Sequence, residues 1–188
     1  AARERNGAFR MGGSQARATD HILPKQIERA TGVTFTYVPF RSGGEVAIQL
    51  AGGHVDANTN NPAENIARWR AGRVRPLGVF NPQRLTLTEK VQGDMGWSDI
   101  PTAREAGIGP AEFRMPRTVW LPARTTDAQM AFWRGILDQV RQTTEWREWL
   151  ERGSQSAMWL TGADLERFIR EDEATNRRDF ATNGWLAE

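Results

Sequence analysis

Apolar positions along the first eighty residues switch repeatedly between a period of two and a period near 3.6. Phe9 to Met11 reads as a short strand, and Ile22, Leu23, Ile27 and Ala30 then recur at helical spacing, with Pro24 expected in the first turn and Gly32 as the stop. Val33, Phe35 and Tyr37 alternate with polar neighbours as a strand that Pro39 is expected to end. Arg41-Ser42-Gly43-Gly44 turns into a helix carrying Val46, Ala47 and Leu50, stopped by Gly52-Gly53, and a strand follows over Val55 to Thr59. Asn61 is placed to cap a helix with Pro62 at its first position, its inner stripe being Ile66 and Trp69. Val74 to Phe80 predicts one more strand. Strand, polar loop, helix, glycine and strand in repetition predict an α/β fold with a parallel-rich sheet flanked by helices, because parallel neighbours need a crossover helix.

The texture changes in the second half. Residues 81–98 read as a long irregular connection, Pro101 to Ala106 as a short helix, and Phe113 to Leu121 as an extended segment broken by Pro116. Thr126-Asp127-Ala128-Gln129 is a capping box, after which Met130, Trp133, Ile136, Leu137 and Val140 predict the buried stripe of a helix. Thr143 or Thr144 opens a short helix bearing Trp146, Trp149 and Leu150, and Thr161-Gly162-Ala163-Asp164 opens a last long helix with Leu165, Phe168 and Ile169 inward. Trp133, Trp146, Trp149 and Trp159 fall on these apolar stripes and are read as core rather than as stacking platforms for sugars or bases.

Composition narrows the function classes. The chain has 188 residues, 39% hydrophobic and 26% charged, enough for one ordinary domain or two small lobes. With no Cys, disulfides, thiolate metal sites and Cys nucleophiles are excluded. Every apolar run breaks far short of the ~20 residues of a membrane span, so no direct membrane insertion is expected. The 25 basic residues, all but two of them Arg, face 23 acidic ones, and Glu148 with Arg152, Glu166 with Arg170 and Glu173 with Arg177 are pairs four residues apart. These are solvated helix faces rather than a nucleic-acid surface. The opening Ala1-Ala-Arg-Glu-Arg-Asn-Gly has neither Met nor the apolar stretch of a secretory signal, and the expectation is a processed or truncated terminus.

The loop expected over Gly12 to Thr19 leads from a strand into a helix whose first N–H groups lack intrahelical partners, an arrangement that attracts a carboxylate or phosphate. Gly13, Ser14, Gln15, Ala18, Thr19 and Asp20 are its candidate ligand residues, Ser14, Gln15 and Thr19 adding neutral donors; an ordinary βα loop with its own cap is the alternative. The Gly-Lys-Ser/Thr ending of a P-loop and the GxGxxG fingerprint are both missing. Asn58, Thr59, Asn60 and Asn61 form a second polar cluster at a strand end, where ligands sit in open α/β sheets, though turn formers and caps look the same. Ser42-Gly43-Gly44 is a third loop of this kind, and Arg117 is a cation that could pair with a ligand carboxylate or a structural acid. The two histidines, His21 and His54, make no HxH or HExxH arrangement, so neither a metal nor a cofactor is expected. A hydrolase-like site on Ser14, His21 and Asp56 is the one catalytic reading available.

Taken together, several stretches resemble the substrate-binding receptors of tripartite tricarboxylate transporters, the Bug-type periplasmic receptors. They are Met11-Gly12-Gly13-Ser14 with Thr19-Asp20-His21, Phe35 through Glu45, Leu50-Ala51-Gly52-Gly53-His54-Val55-Asp56 and Asn60-Asn61-Pro62. Ala71-Gly72-Arg73-Val74-Arg75-Pro76-Leu77, Asp99-Ile100-Pro101-Thr102 with Glu105-Ala106-Gly107, and Leu160-Thr161-Gly162 continue the series. The resemblance implies a type II periplasmic-binding fold, two lobes closing on a small di- or tricarboxylate such as citrate, a membrane permease as partner, a periplasmic location and no catalysis. It implies further that residues 1–115 are the second lobe, with the loop Gly12 to Asp20 and the pair Asn60 and Asn61 facing ligand. Residues 116–188, with Arg117 near their start, would complete a first lobe whose founding strands precede Ala1 in the family and are not in this sequence. A receptor reporting to a signalling partner, rather than feeding transport, is the alternative within the resemblance.

Overall fold

β1 (Phe9–Ser14), β2 (Phe35–Phe40) and β3 (Ala57–Asn58) form a parallel sheet in the order β2-β1-β3. α1 (Thr19–Thr31) and α2 (Gly43–Ala51) are the crossovers between them, and α3 (Pro62–Arg70) follows β3. This computed structural model describes residues 1–186; positions 187 and 188, the end of the segment expected over 116–188, lie outside the described residues. Met11, Ile22, Leu23, Ile27, Val46, Ala47 and Val55 are buried where α1 and α2 meet the sheet. Gly12 permits the closest part of that packing, since a Cβ there would stand 3.1 Å from Val55 and 3.2 Å from Val46.

Three expectations are corrected here. β1 runs through Gly12 and Gly13 to Ser14 because each pairs with β2, as Val38, Pro39 and Phe40 respectively, so the true loop is only residues 15–18. Pro39 does not end β2, because β2 is the edge strand and a missing donor on its outer side breaks no ladder. α1 begins at Thr19, which puts Pro24 inside the helix rather than in its first turn.

The expected strand over Val74 to Phe80 is also absent. Pro76 removes a donor in mid-run, and only Val79 makes a ladder contact, an isolated parallel bridge to Thr102. That stretch instead packs on a second core of Trp69, Val91, Trp97 and Ile100, in which the two indoles meet edge to face at 5.0 Å. The hairpin β4 (Lys90–Gln92) and β5 (Met95–Gly96), a single 3₁₀ turn over Trp97–Asp99, and α4 (Ala103–Ala106) enclose it. The Arg84 guanidinium and the Thr102 N–H hold the Glu105 carboxyl down at about 2.

Three further helices complete the chain: α5 (Asp127–Val140), α6 (Thr144–Arg152) and α7 (Gly162–Thr182). Ala1–Phe113 and the chain from Met158 onward form one compact unit, Arg114–Ala157 another. In the first unit the buried Asp179 of α7 accepts from Gln26 Nε2 at 2.8 Å and pairs with Arg29, fastening α7 to α1. In the second, Thr126 and Gln129 form the expected capping box of α5 and Thr143 caps α6. The stripe read as buried is open: Met130, Trp133, Ile136 and Val140 are 46%, 49%, 38% and 41% exposed. The three pairs Glu148–Arg152, Glu166–Arg170 and Glu173–Arg177 form as expected, at 3.4, 3.6 and 3.0 Å.

Candidate functional site

Because the sheet is parallel, β1, β2 and β3 end at one edge, and each leads there into the N-terminus of a helix. Three sets of helix-opening N–H groups therefore gather at the edge where ligands bind in open α/β sheets.

The β1–α1 connection is held by side chains rather than by a cap. Ala18, which occupies the cap position of α1, has no side chain to offer, so the capping chemistry expected in this loop is not made; Thr19 is the first helical residue. Gln15 and Arg17 sit in the left-handed region at φ 44° and 58°, a conformation that non-glycine residues adopt only when their surroundings enforce it. The surroundings are identifiable. Gln15 donates its N–H to the Phe40 carbonyl at 2.9 Å, and Tyr37 Oη lies 3.0 and 3.2 Å from the carbonyls of Ser14 and Gln15. Asp20 Oδ2 accepts from both the N–H and the hydroxyl of Ser14, at 2.9 and 2.7 Å. His21 stacks on Tyr37 with ring centres 3.8 Å apart, and its Nδ1 accepts from the Arg17 N–H at 3.1 Å. Burial first, and then the charge of Lys25, lower the His21 pKa, while burial pushes the Tyr37 phenol well above its ordinary value.

At the second strand end Ser42 caps α2 by accepting from the Glu45 N–H at 3.2 Å, and Gly43 is buried. At the third, Thr59 donates its N–H to the Gly12 carbonyl at 3.2 Å and its hydroxyl to the Asp20 carbonyl at 2.8 Å. Asn60 Nδ2 donates to the Gly43 carbonyl at 2.8 Å, and its Oδ1 accepts from the Asn61 N–H at 3.1 Å. Asn61 stands at the cap position of α3 with Pro62 after it, as expected, but its side chain makes no capping bond. Glu64 presses on the same junction: its Oε2 is buried without a hydrogen-bond partner, and a Cβ on Gly43 would stand 1.9 Å from it.

Of the sequence candidates, Gln15 and Ala18 thus lie in one loop, with Gly13 and Ser14 at the end of β1 and Thr19 and Asp20 at the start of α1, and Thr59 links that junction to the strand end carrying Asn60 and Asn61. Arg117 is exposed in the other compact unit and is not among them. Sequence reasoning missed Tyr37, placed in a strand and given no further role; Thr59 it placed in the polar strand-end cluster, without the bond to Asp20. The signal for Thr59 lay in Pro24: a proline inside a helix frees a carbonyl four residues back, which then needs a donor from elsewhere.

The hydrolase-like reading fails on geometry. The Ser14 hydroxyl donates to Asp20, His21 Nδ1 is occupied by a backbone N–H, and Asp56 belongs to a separate cluster. There Asp56 accepts from the Arg10 N–H at 2.8 Å and is clasped by the Arg10 and Arg5 guanidiniums, chiefly Arg10, which hold its carboxyl far below the usual range. Among the described residues there is no group of three or more His, Asp or Glu that could hold a metal ion, and no helix long and apolar enough to cross a membrane.

Residues 1–181 match a family model described as the tripartite tricarboxylate transporter family receptor. The Protein BugT of Bordetella pertussis is 30% identical over 74 residues, 39% of this chain and 22% of that protein. Among solved structures, an R. palustris protein with adipate superposes with a TM-score of 0.81 at 23% identity, over 97% of this chain and 58% of its own. A TctC solute binding protein from Polaromonas, without ligand, gives 0.66 at 22% identity, over 96% of this chain and 59% of its own. The chain therefore spans less than two thirds of the length of each relative named here.

Proposed function

This chain belongs to the tripartite tricarboxylate transporter receptor family, and from that premise we propose that it is the ligand-holding part of a periplasmic solute receptor that delivers a small di- or tricarboxylate to a membrane permease. In this reading residues 1–115 form the carboxylate-holding lobe, and of residues 116–188 the stretch up to Ala157 contributes to the other, since α7 packs with the first. The observation that carries it is the convergence of three strand ends and three helix N-termini on one edge, lined by neutral donors and glycines. Partial positive charge from the helix dipoles and N–H groups suits an anion, and Arg17 and Arg41, exposed in the first two of these loops, add cations at the same edge. Gly13, Ser14, Gln15, Ala18, Thr19, Asp20, Asn60 and Asn61 are the residues that would face it. Adipate, carried by the R. palustris neighbour, is a dicarboxylate and one candidate ligand, and a citrate-like tricarboxylate is the other.

Isothermal titration of the chain with adipate and with citrate, against a neutral sugar, is the test. Saturable heat with a carboxylate alone is expected; binding of the sugar alone would overturn the reading.

A further inference from the structure

The turn that ends α7 reaches the β1–α1 loop. Gly184 reverses the chain in the left-handed region at φ 65°, the Trp185 N–H donates to the Phe180 carbonyl at 2.8 Å, and the indole meets the Phe180 ring edge to face at 5.6 Å. This turn is held against α1, because Asp179 accepts from Gln26 and pairs with Arg29, and Arg29 also donates to the Asn183 side chain. The indole comes to rest on His21, with ring centres 4.5 Å apart and planes at 44°, while Tyr37 lies flat on the same imidazole at 3.8 Å. Among the described residues Tyr37 and Trp185 make no ring contact with each other, so they take different sides of His21.

What His21 holds makes this clasp matter. Gln15 and Arg17 are exposed and both left-handed, a pair of costly conformations that a short loop keeps only while it is tied at both ends. The first end is tied by the Phe40 carbonyl and the Tyr37 hydroxyl. The second is tied by one side chain, His21, whose Nδ1 accepts from the Arg17 N–H. An imidazole at the start of a helix can break that bond by turning about its own side-chain torsions, and rings packed on different sides of it oppose the turn.

We propose that Trp185 is a positioning residue for the loop at residues 15–18: clasping His21 against Tyr37, it keeps Nδ1 under the Arg17 N–H and thereby sets the grip of that loop on a carboxylate. The grip on a carboxylate rests on the receptor reading above; the hold on the loop rests on the geometry alone.

The test is amide hydrogen exchange of the whole chain, resolved residue by residue with NMR. In Trp185→Ala the Arg17 amide is expected to exchange about tenfold faster while β1 amides keep their rates, and in Trp185→Phe, which retains a ring, it is expected to stay within about threefold of the native rate. His21→Ala should free the Arg17 amide too, and adding Trp185→Ala to it should free it no further, because the indole acts through the imidazole. Val91→Ala, which cuts into the second core of the same compact unit, should leave the Arg17 amide at its native rate. An Arg17 amide that does not quicken in Trp185→Ala, one that quickens again in the double variant, or one that quickens equally in Val91→Ala would overturn the proposal. If β1 loses protection in Trp185→Ala, Trp185→Leu, which keeps apolar cover without the ring, is read in its place on the same terms. Calorimetry with adipate and with citrate reads the grip: whichever the native chain binds, Trp185→Ala should bind about tenfold more weakly and Val91→Ala equally well, and an unchanged affinity in Trp185→Ala overturns that role. A native chain that binds neither defeats the carboxylate reading alone, and the exchange rates still decide the hold on the loop.

Discussion

Thr59 donates its hydroxyl to the backbone carbonyl of Asp20 at 2.8 Å, and that carbonyl is available because Pro24, four residues on, has no N–H to give it. Thr59 and Pro24 are both buried, so the bond replaces a lost helix bond in a place water does not reach. One proline thus fixes the end of β3 to the first turn of α1, the turn that also carries the Asp20 carboxylate over Ser14.

Thr59→Val keeps the shape and removes the donor, and should cost about 1–3 kcal/mol of unfolding free energy for the stranded carbonyl. In a Pro24→Ala background, where residue 24 can donate to Asp20 itself, the same substitution should cost at least about 0.5 kcal/mol less. Urea denaturation of the four proteins in the cycle checks this, and strictly additive effects would refute the link.

Adjacent glycines at the start of α2 should respond with opposite signs. A methyl on Gly43 would run into Glu64 and Asn60, so Gly43→Ala should destabilise by about 1–3 kcal/mol, as overpacking does. On Gly44 it would meet nothing nearer than Ser42 Oγ at 3.9 Å, and Gly44→Ala should stabilise by about 0.5–1 kcal/mol through helix propensity. Thermal melts of the two variants give the comparison.

If the gathered strand ends hold a carboxylate, Ser14→Ala and Asn60→Ala should each weaken binding by about 1–3 kcal/mol while leaving the circular dichroism spectrum unchanged. Calorimetric affinities for adipate and citrate measure this; two unaltered affinities would return Ser14 to holding Asp20 and Asn60 to holding Gly43.

His21 gives the fold a dependence on mild acid. Its pKa is lower in the folded chain than in the unfolded one, so the unfolded chain takes up the proton first. Stability should be level above the unfolded value of about 6.5 and fall as pH drops from there toward the folded value, as the proton displaces the Arg17 N–H from Nδ1. Chemical denaturation across that range should show the slope in the native protein and not in His21→Gln.

Asp56 acts at lower pH. Its folded pKa is depressed, so its contribution is present above the unfolded value of about 3.9 and is lost as pH falls further. Asp56→Asn should lower the melting temperature at pH 7 and flatten the acid limb below about pH 4, measured by thermal scans over a pH series.

The α/β class and the family were legible because they rest on short-range signals: apolar periodicity, glycine stops, and local caps such as Thr126. The errors share a cause in long-range pairing. Gly12 and Gly13 look like loop residues until β2 lies beside them, and Val74 to Phe80 looks like a strand until a partner is sought. Within the candidate site, the sequence placed Ser14 and Asn60 at strand ends but could not show what holds them, since Asp20, Tyr37 and Gly43 reach them only through the fold. Trp133 and Ile136 were read as core from a stripe whose spacing is sound; periodicity reports that a face wants cover, not that this chain covers it.

Pro39 has a consequence at the rim of the sheet. Phe40 turns its carbonyl toward β1, so Pro39, one residue earlier, turns outward. Phe35-Thr36-Tyr37-Val38 with Phe40 would otherwise be an uncharged aromatic run along the sheet's edge, the composition from which fibrils grow. A ring where a donor should be leaves the next chain nothing to zip onto at that point, so the strand at the rim of the sheet carries its own safeguard against polymerisation.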